Sequence, residues 1–142
     1  MDIHISTHDG ALIPKYSTDG AAGADLRAAE DVIIPAGERR LVNTGIKVII
    51  PDGYVGLIHP RSGLALKTGI TVLNTPGTID SDYRGDIGVI LYNSSDKDYA
   101  VVVGDRIAQI VFQEYVKVNF IRSEVSEDTD RGSGGFGSTG VE

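Results

Sequence analysis

The chain has 142 residues, 41% of them hydrophobic, and a net charge of −7. That length fits one domain, which buries roughly 70% of its extended surface on folding, and no apolar run approaches the ~18 residues that span a bilayer. The absence of cysteine excludes disulfides and thiolate metal sites and makes a cytoplasmic location the default, while the lack of any Lys/Arg cluster argues against binding a nucleic-acid polymer.

The N-terminal "MDIHISTHDG" lacks the basic, apolar and small-residue order of a leader peptide, so none is expected. "AAGADL" (21–26) follows, a small-residue stretch in which Asp25 reads as a turn or cap residue. Then come short β-branched runs: "DVIIP" (31–35), "RLVNTGIKVIIP" (40–51), "GYVGLIHP" (53–60), "GITVLN" (69–74), "GDIGVILYN" (85–93), "YAVVVG" (99–104) and "RIAQIVFQEYV" (106–116). Turn residues separate them. Together with 18 glycines and 6% aromatics, they predict an all-β sandwich or barrel. The best helical candidate is a single turn near "SGLAL" (62–66). In "RIAQIVF", Ile107 and Val111 point one way while Ala108, Ile110 and Phe112 point the other. Strands apolar on both faces need a second layer or a second copy of the chain, which predicts a homo-oligomer.

Two segments carry more chemistry than their local structure needs. "HPRSGLALK" (59–67) sets Arg61, Ser62 and Gly63 in succession. Arginine offers a planar fork to phosphate oxygens, and Ser62 suits a helix N-cap, itself a position that attracts anions. "NTPGTIDSDYRGD" (74–86) links two expected antiparallel strands and crowds Asp80, Asp82, Tyr83, Arg84 and Asp86 together. On spacing alone this is a solvated hairpin tip, with Arg84 paired to a carboxylate. Alternatively, Asp80 beside Ile79 is a partly enclosed carboxylate able to deprotonate a water. In "GDRIAQ" (104–109), Arg106 reads as an intersubunit salt bridge and Gln109 as a hydrogen bond within a strand. The histidines at 4, 8 and 59 show no ligand spacing.

Beyond Arg122 the apolar pattern stops, which divides the chain into a barrel domain over 1–122 and a flexible arm over 123–142. "SEVSEDTD" (123–130) is acidic and "RGSGGFGSTG" (131–140) is glycine-rich. "GSGGFG" matches G-x-G-x-x-G but lacks the preceding strand and following helix of a dinucleotide site. It fails as a Walker loop because Ser138 stands in place of the lysine. What remains is a run of free backbone N–H groups beside Arg131. Nine steps from Arg122 to Arg131 span about 30 Å, against a radius of gyration near ~14 Å for a domain this size. The arm can therefore reach a neighbouring copy.

Taken together and in order, "AAGADL", "PRSG", "NTPGTIDSDYRG", "GDRIAQ" and "RGSGGFGSTG" resemble the five motifs of the homotrimeric deoxyuridine triphosphatases. The resemblance implies a compact jelly-roll-type β-barrel, a homotrimer with intersubunit sites and a mobile C-terminal tail. It also implies hydrolysis of dUTP to dUMP and pyrophosphate with Mg²⁺ on the triphosphate. That reaction keeps uracil out of DNA and supplies dUMP for thymidylate synthesis. In family terms, Asp80 orients the water that attacks the α-phosphorus, and Asp25 touches water around Mg²⁺. The hairpin from Asn74 through Thr78 and Ile79 to Gly88 reads uracil. Tyr83 lies against the deoxyribose, where a 2′-hydroxyl would collide. Arg61, Ser62, Gly63 and Gln109 contact phosphates. Another subunit's arm supplies Phe136 on the uracil and Arg131, Gly137, Ser138 and Thr139 around the nucleotide. Thr78 departs from the apolar residue many relatives carry. The dCTP deaminases of the same superfamily would carry glutamate where Asp80 sits, and a nucleotide sensor signalling through surface loops such as 94–98 is the reading from another class.

Overall fold

The computed structural model describes residues 1–8 and 11–141. Twelve strands and one short helix follow in order: β1 (His4–Thr7), β2 (Lys15–Tyr16), β3 (Ala24–Arg27), β4 (Val32–Ile34), β5 (Arg39–Asn43), β6 (Ile46–Ile49), β7 (Tyr54–His59), α1 (Ser62–Thr68), β8 (Ile70–Val72), β9 (Gly77–Ile79), β10 (Gly88–Asn93), β11 (Tyr99–Val101) and β12 (Arg106–Glu114). The strands form a jelly-roll of antiparallel ladders. The widest sheet runs β2-β3-β12-β7-β9, a second runs β5-β10-β8, and two ribbons pair β1 with β6 and β4 with β11. No helix among the described residues is long and apolar enough to cross a membrane.

Period-two alternation builds the core. In β10, Val89, Leu91 and Asn93 are buried while Gly88, Ile90 and Tyr92 face the other way. In β6, Ile46 and Val48 turn inward and Lys47 and Ile49 outward. The run 40–51 breaks into β5 and β6 at Thr44–Gly45. Gly45 is buried with φ 69°, a conformation side chains disfavour, and the Ala11 methyl lies where its own Cβ would be. The strict alternation expected for β12 does not hold at its start. A register shift between Arg106 and Ala108 buries both Ile107 and Ala108, as a β-bulge does when it swings one extra residue inward.

The 74–86 segment does more than join β8 to β10. Those two strands do pair, Leu91 with Val72 and Asn93 with Ile70. Between them β9 leaves for the other sheet and pairs with β7, Ile79 opposite Gly56 and Gly77 opposite Ile58. The connection thus straddles both layers. The helix starts one residue earlier than expected: Arg61 is the N-cap residue, without a side-chain cap, and Ser62 is the first helical residue. Gly69 closes α1 in the left-handed region, and its carbonyl accepts from the Ser94 N–H and hydroxyl.

Among the described residues beyond Glu114 there is no further strand, and none of residues 115–141 is buried. Val116, Val118 and Phe120 are exposed at alternate positions, the pattern of a strand's apolar face.

Candidate active site

One cluster forms where three strands lie side by side. Gln109 of β12 stands opposite Asp25 of β3 and opposite His59 of β7. Asp25 is therefore a strand residue, not a turn or cap. Alternation sends Ala24 and Leu26 into the core and Asp25 out. Its side chain is 15% exposed and lies 3.5 Å from Arg61 Nε and 3.3 Å from Arg106 Nη1. Ser17 Oγ donates to it at 2.9 Å. The Arg106 ion pair is thus made within one chain, where an intersubunit pair was expected. Arg61 Nη1 also donates to the Arg106 carbonyl at 3.2 Å, and Gln109 Nε2 to the Pro60 carbonyl at 3.1 Å. The last bond crosses to the end of the neighbouring strand rather than staying within its own. Burial pushes the Tyr99 phenol up, with Asp105 adding to the rise and Arg61 opposing it.

Two guanidinium groups around one carboxylate leave a local positive surplus in a chain of net charge −7. Ser62 and Gly63 are exposed beside it at the start of α1, and the space where a Gly63 Cβ would stand is open. Such a corner can accept a polyanion through charge-assisted hydrogen bonds, each contributing roughly 1.5–3 kcal/mol. Ser17 and Gly23 were invisible as contributors, because nothing local in the sequence shows which side chains β3 and β12 bring together. A Cβ on Gly23 would run into the Gln109 carboxamide oxygen and lie 3.0 Å from its Cδ. Gly23→Ala is expected to push the Gln109 side chain off Pro60 and weaken binding of a non-hydrolysable dUTP analogue about tenfold, the scale of one such bond, with the thermal midpoint nearly unchanged. Calorimetric titration and a melting curve check both halves.

The second cluster is the hairpin. Asn74, Gly77, Thr78, Ile79 and Gly88 line a narrow cleft of about 50 Å³ between β8, β9 and β10. Asn74 lies over Gly77, its Nδ2 within 3.5 Å of where a Cβ would be. Gly88 leaves room for the Leu41 side chain. Tyr83 folds back over Gly85, and its hydroxyl donates to the Asp86 carbonyl at 2.9 Å. Among the described residues Arg84 is paired to no carboxylate; its Nη1 donates to the carbonyls of Ser81 and Tyr83. Asp80 is exposed, contrary to the expected partial enclosure, and among the described residues no side chain engages its carboxylate. It faces an open groove of about 910 Å³ shared with Asp52, Ser81, Asp82 and the 115–120 stretch.

Within one chain the cleft end of the hairpin lies near the phosphate corner, Gly77 being opposite Ile58, but Asp80 stands further along β7. β9 runs antiparallel to β7, with Ile79 opposite Gly56, so Asp80 lies level with the start of β7. Arg61 follows β7's other end. Asp80 is level with Val55 and the Asp25–Gln109 corner with His59, a separation of four residues, about 13 Å. The arm stands apart as well. Phe136 is fully exposed at φ 52°, Arg131 Nε donates to its own Gly134 carbonyl, and the glycine-rich stretch is a series of tight turns. Gly137, Ser138 and Thr139 lie in those turns, exposed.

A jelly-roll holding a polyanion corner and, one residue along β7 from it, a narrow hairpin cleft lined by Asn74, Gly77 and Gly88 has the parts of a nucleotide-handling enzyme. A dUTPase family model matches residues 9–140. Deoxyuridine 5'-triphosphate nucleotidohydrolases from Helicobacter pylori (strain ATCC 700392 / 26695) and Nautilia profundicola are 56% identical over 134 residues and 57% identical over 130. These alignments cover 94% and 92% of this chain and 92% of each relative. Among solved structures, a Staphylococcus bacteriophage 80alpha dUTPase with dUPNHPP superposes with a TM-score of 0.91 at 29% identity, covering 99% of both chains. A dUTPase variant from phage phi11 of S. aureus, described for its coordination of a structural Mg(II) ion, superposes at 0.81 with 27% identity over 89% of this chain and 99% of its own. The chain belongs to the dUTPase family.

Proposed function

We propose how this member of the dUTPase family carries out its reaction, the hydrolysis of dUTP to dUMP and pyrophosphate. Asp80 orients a water and takes its proton as the oxygen attacks the α-phosphorus. Arg61, Ser62, Gly63 and Gln109 hold the phosphates. The cleft from Asn74 through Thr78 and Ile79 to Gly88 receives uracil, and Tyr83 backs the deoxyribose. Cytosine exchanges an acceptor and a donor relative to uracil, so a cleft bonded to uracil leaves buried groups unpaired against it, a strong ground for rejection.

The observation that carries this reading is the separation of Asp80 from the phosphate corner along β7. With Asp80 and Arg61 at opposite ends of β7, a complete site needs the hairpin of one copy and the phosphate corner of another. A homotrimer with sites between subunits satisfies that need, and the exposed Val116, Val118 and Phe120 suit packing against a neighbour. Residues 123–142 form the arm of this assembly. Arg131, Gly137, Ser138 and Thr139 close on the phosphates and Phe136 stacks on the base, excluding bulk water and strengthening each polar contact. The cysteine-free chain suits a reducing cytoplasm.

Mg²⁺ is the cofactor in this scheme. No group of three His, Asp or Glu among the described residues could cage a metal, and Asp25 is already bonded to Ser17 and two arginines. That donor set fits an ion which keeps several waters and is held largely by substrate phosphates, with Asp25 reaching one of its waters. When bound, Mg²⁺ offsets the charge of the triphosphate.

Pyrophosphate release measured side by side from dUTP, dCTP and dTTP tests the reading. Turnover of dUTP alone is expected. Ammonia release from dCTP would mean a deaminase, and tight dUTP binding without turnover would mean a sensor.

A further inference from the structure

Among the described residues, side chains tie the tip of the hairpin to the rest of the fold at two places. Ser81 Oγ donates to Asp52 at 3.3 Å, and His8 Nε2 lies 2.9 Å from Asp86 Oδ1. The other side-chain bonds of residues 80–86 stay within the tip. The His8 tie closes a short ring. The His8 N–H donates to the Gly45 carbonyl, the carbonyl of the next residue, Ile46, accepts from the Ile87 N–H, and Ile87 adjoins Asp86. Thr44 reinforces the ring, since its N–H and its hydroxyl both donate to the Ile87 carbonyl. Ile87 is fully buried, so one side of the ring is rooted in the core.

The Asp86–Ile87 peptide sits in the middle of this arrangement. Its N–H is held by Ile46 at 2.8 Å, and its C=O receives the Tyr83 hydroxyl at 2.9 Å. The side chain that sets the tilt of Asp86 is held by His8. We propose that His8, acting through Asp86, is a positioning residue for Tyr83 and thereby a determinant of deoxyribose over ribose selection. This rests on the reading of Tyr83 as the wall behind the sugar.

The physics is modest and specific. The pair is partly exposed, 60% for His8 and 41% for Asp86, so its effect on overall stability is small. Its effect on the direction of one phenol is larger in consequence, because a wall that yields by a fraction of an ångström admits a hydroxyl. Neither His8 nor Asp86 touches the reacting atoms in this scheme, so kcat for dUTP is spared.

The test compares kcat and KM for dUTP and UTP in the full-length protein carrying Tyr83→Ala, His8→Ala, His8→Gln, Asp86→Ala, or His8→Ala with Asp86→Ala. Tyr83→Ala should collapse the dUTP/UTP preference in kcat/KM. His8→Ala should lower it about three- to five-fold, the scale of one exposed charged hydrogen bond, through a lower KM for UTP and a slightly higher KM for dUTP. Gln keeps a donor near the position of Nε2 and should restore the preference. The double variant should lose no more than Asp86→Ala alone, since both changes cut the same tie. An unchanged preference in His8→Ala, or no restoration by Gln, overturns the proposal while leaving the role of Tyr83 intact. An unchanged preference in Tyr83→Ala overturns the reading of Tyr83 and the proposal with it.

Discussion

Asp80→Asn is expected to lower dUTP turnover at least a thousandfold while a non-hydrolysable dUTP analogue still binds within a few-fold of normal. The substitution keeps the shape of the side chain and removes its capacity to accept a proton. A positioned general base contributes about 10²–10⁴-fold, and in the proposed mechanism Asp80 also orients the attacking oxygen. The variant should fold normally. Asp80 is exposed and among the described residues has no side-chain partner, so amidation orphans nothing and stability should shift by no more than about 0.5 kcal/mol. Pyrophosphate release gives kcat and calorimetry gives Kd. Turnover near normal would mean that another group activates the water.

Deleting residues 131–142 is the second large effect. None of the described residues in that stretch is buried, so the truncated chain should melt and sediment like the intact one. Its kcat/KM for dUTP should fall by roughly 10³, toward the lower end of what an arginine supplies to developing phosphate charge in other phosphoryl-transfer enzymes. Arg131 spends only its Nε on the Gly134 carbonyl three residues away, which leaves the four Nη donors to serve a phosphate. Loss of the assembly on truncation would instead make the arm structural.

Much of the fold was legible in the sequence because its strands are β-branched runs between turn residues, and seven such runs contain β4 to β8 and β10 to β12. Four strands lie outside those runs: β1, "HIST", has one strongly apolar residue, and the other three resisted for different reasons. β3 is built from "ADLR" after "AAG"; small residues give little apolar contrast, so Asp25 looked like a cap when it was the outward member of an alternation. β9 has three residues and owes its strand conformation to β7, some twenty positions earlier, a pairing with no local signature. β2 has only two residues and hangs on the edge of β3. The bulge that buries Ile107 and Ala108 together is likewise set by the partner strand.

At the site, residue types announced chemistry more readily than partners. Arg61, Ser62 and Gly63 were conspicuous in succession, yet the hold of Asp25 and Ser17 on the arginines depends on which strands adjoin. The Arg106 pair was assigned across a subunit boundary because the sequence cannot reveal that β12 lies next to β3. The enclosure expected for Asp80 is not a property of one chain. Its carboxylate faces an open groove.

Placing the water-activating acid and the phosphate grip at opposite ends of β7 has a pharmacological corollary on the proposed assembly. Newly made chains would be inert until they find each other, so they could not drain a nucleotide pool prematurely. A compound wedged between copies would silence the enzyme without resembling a base, a sugar or a phosphate.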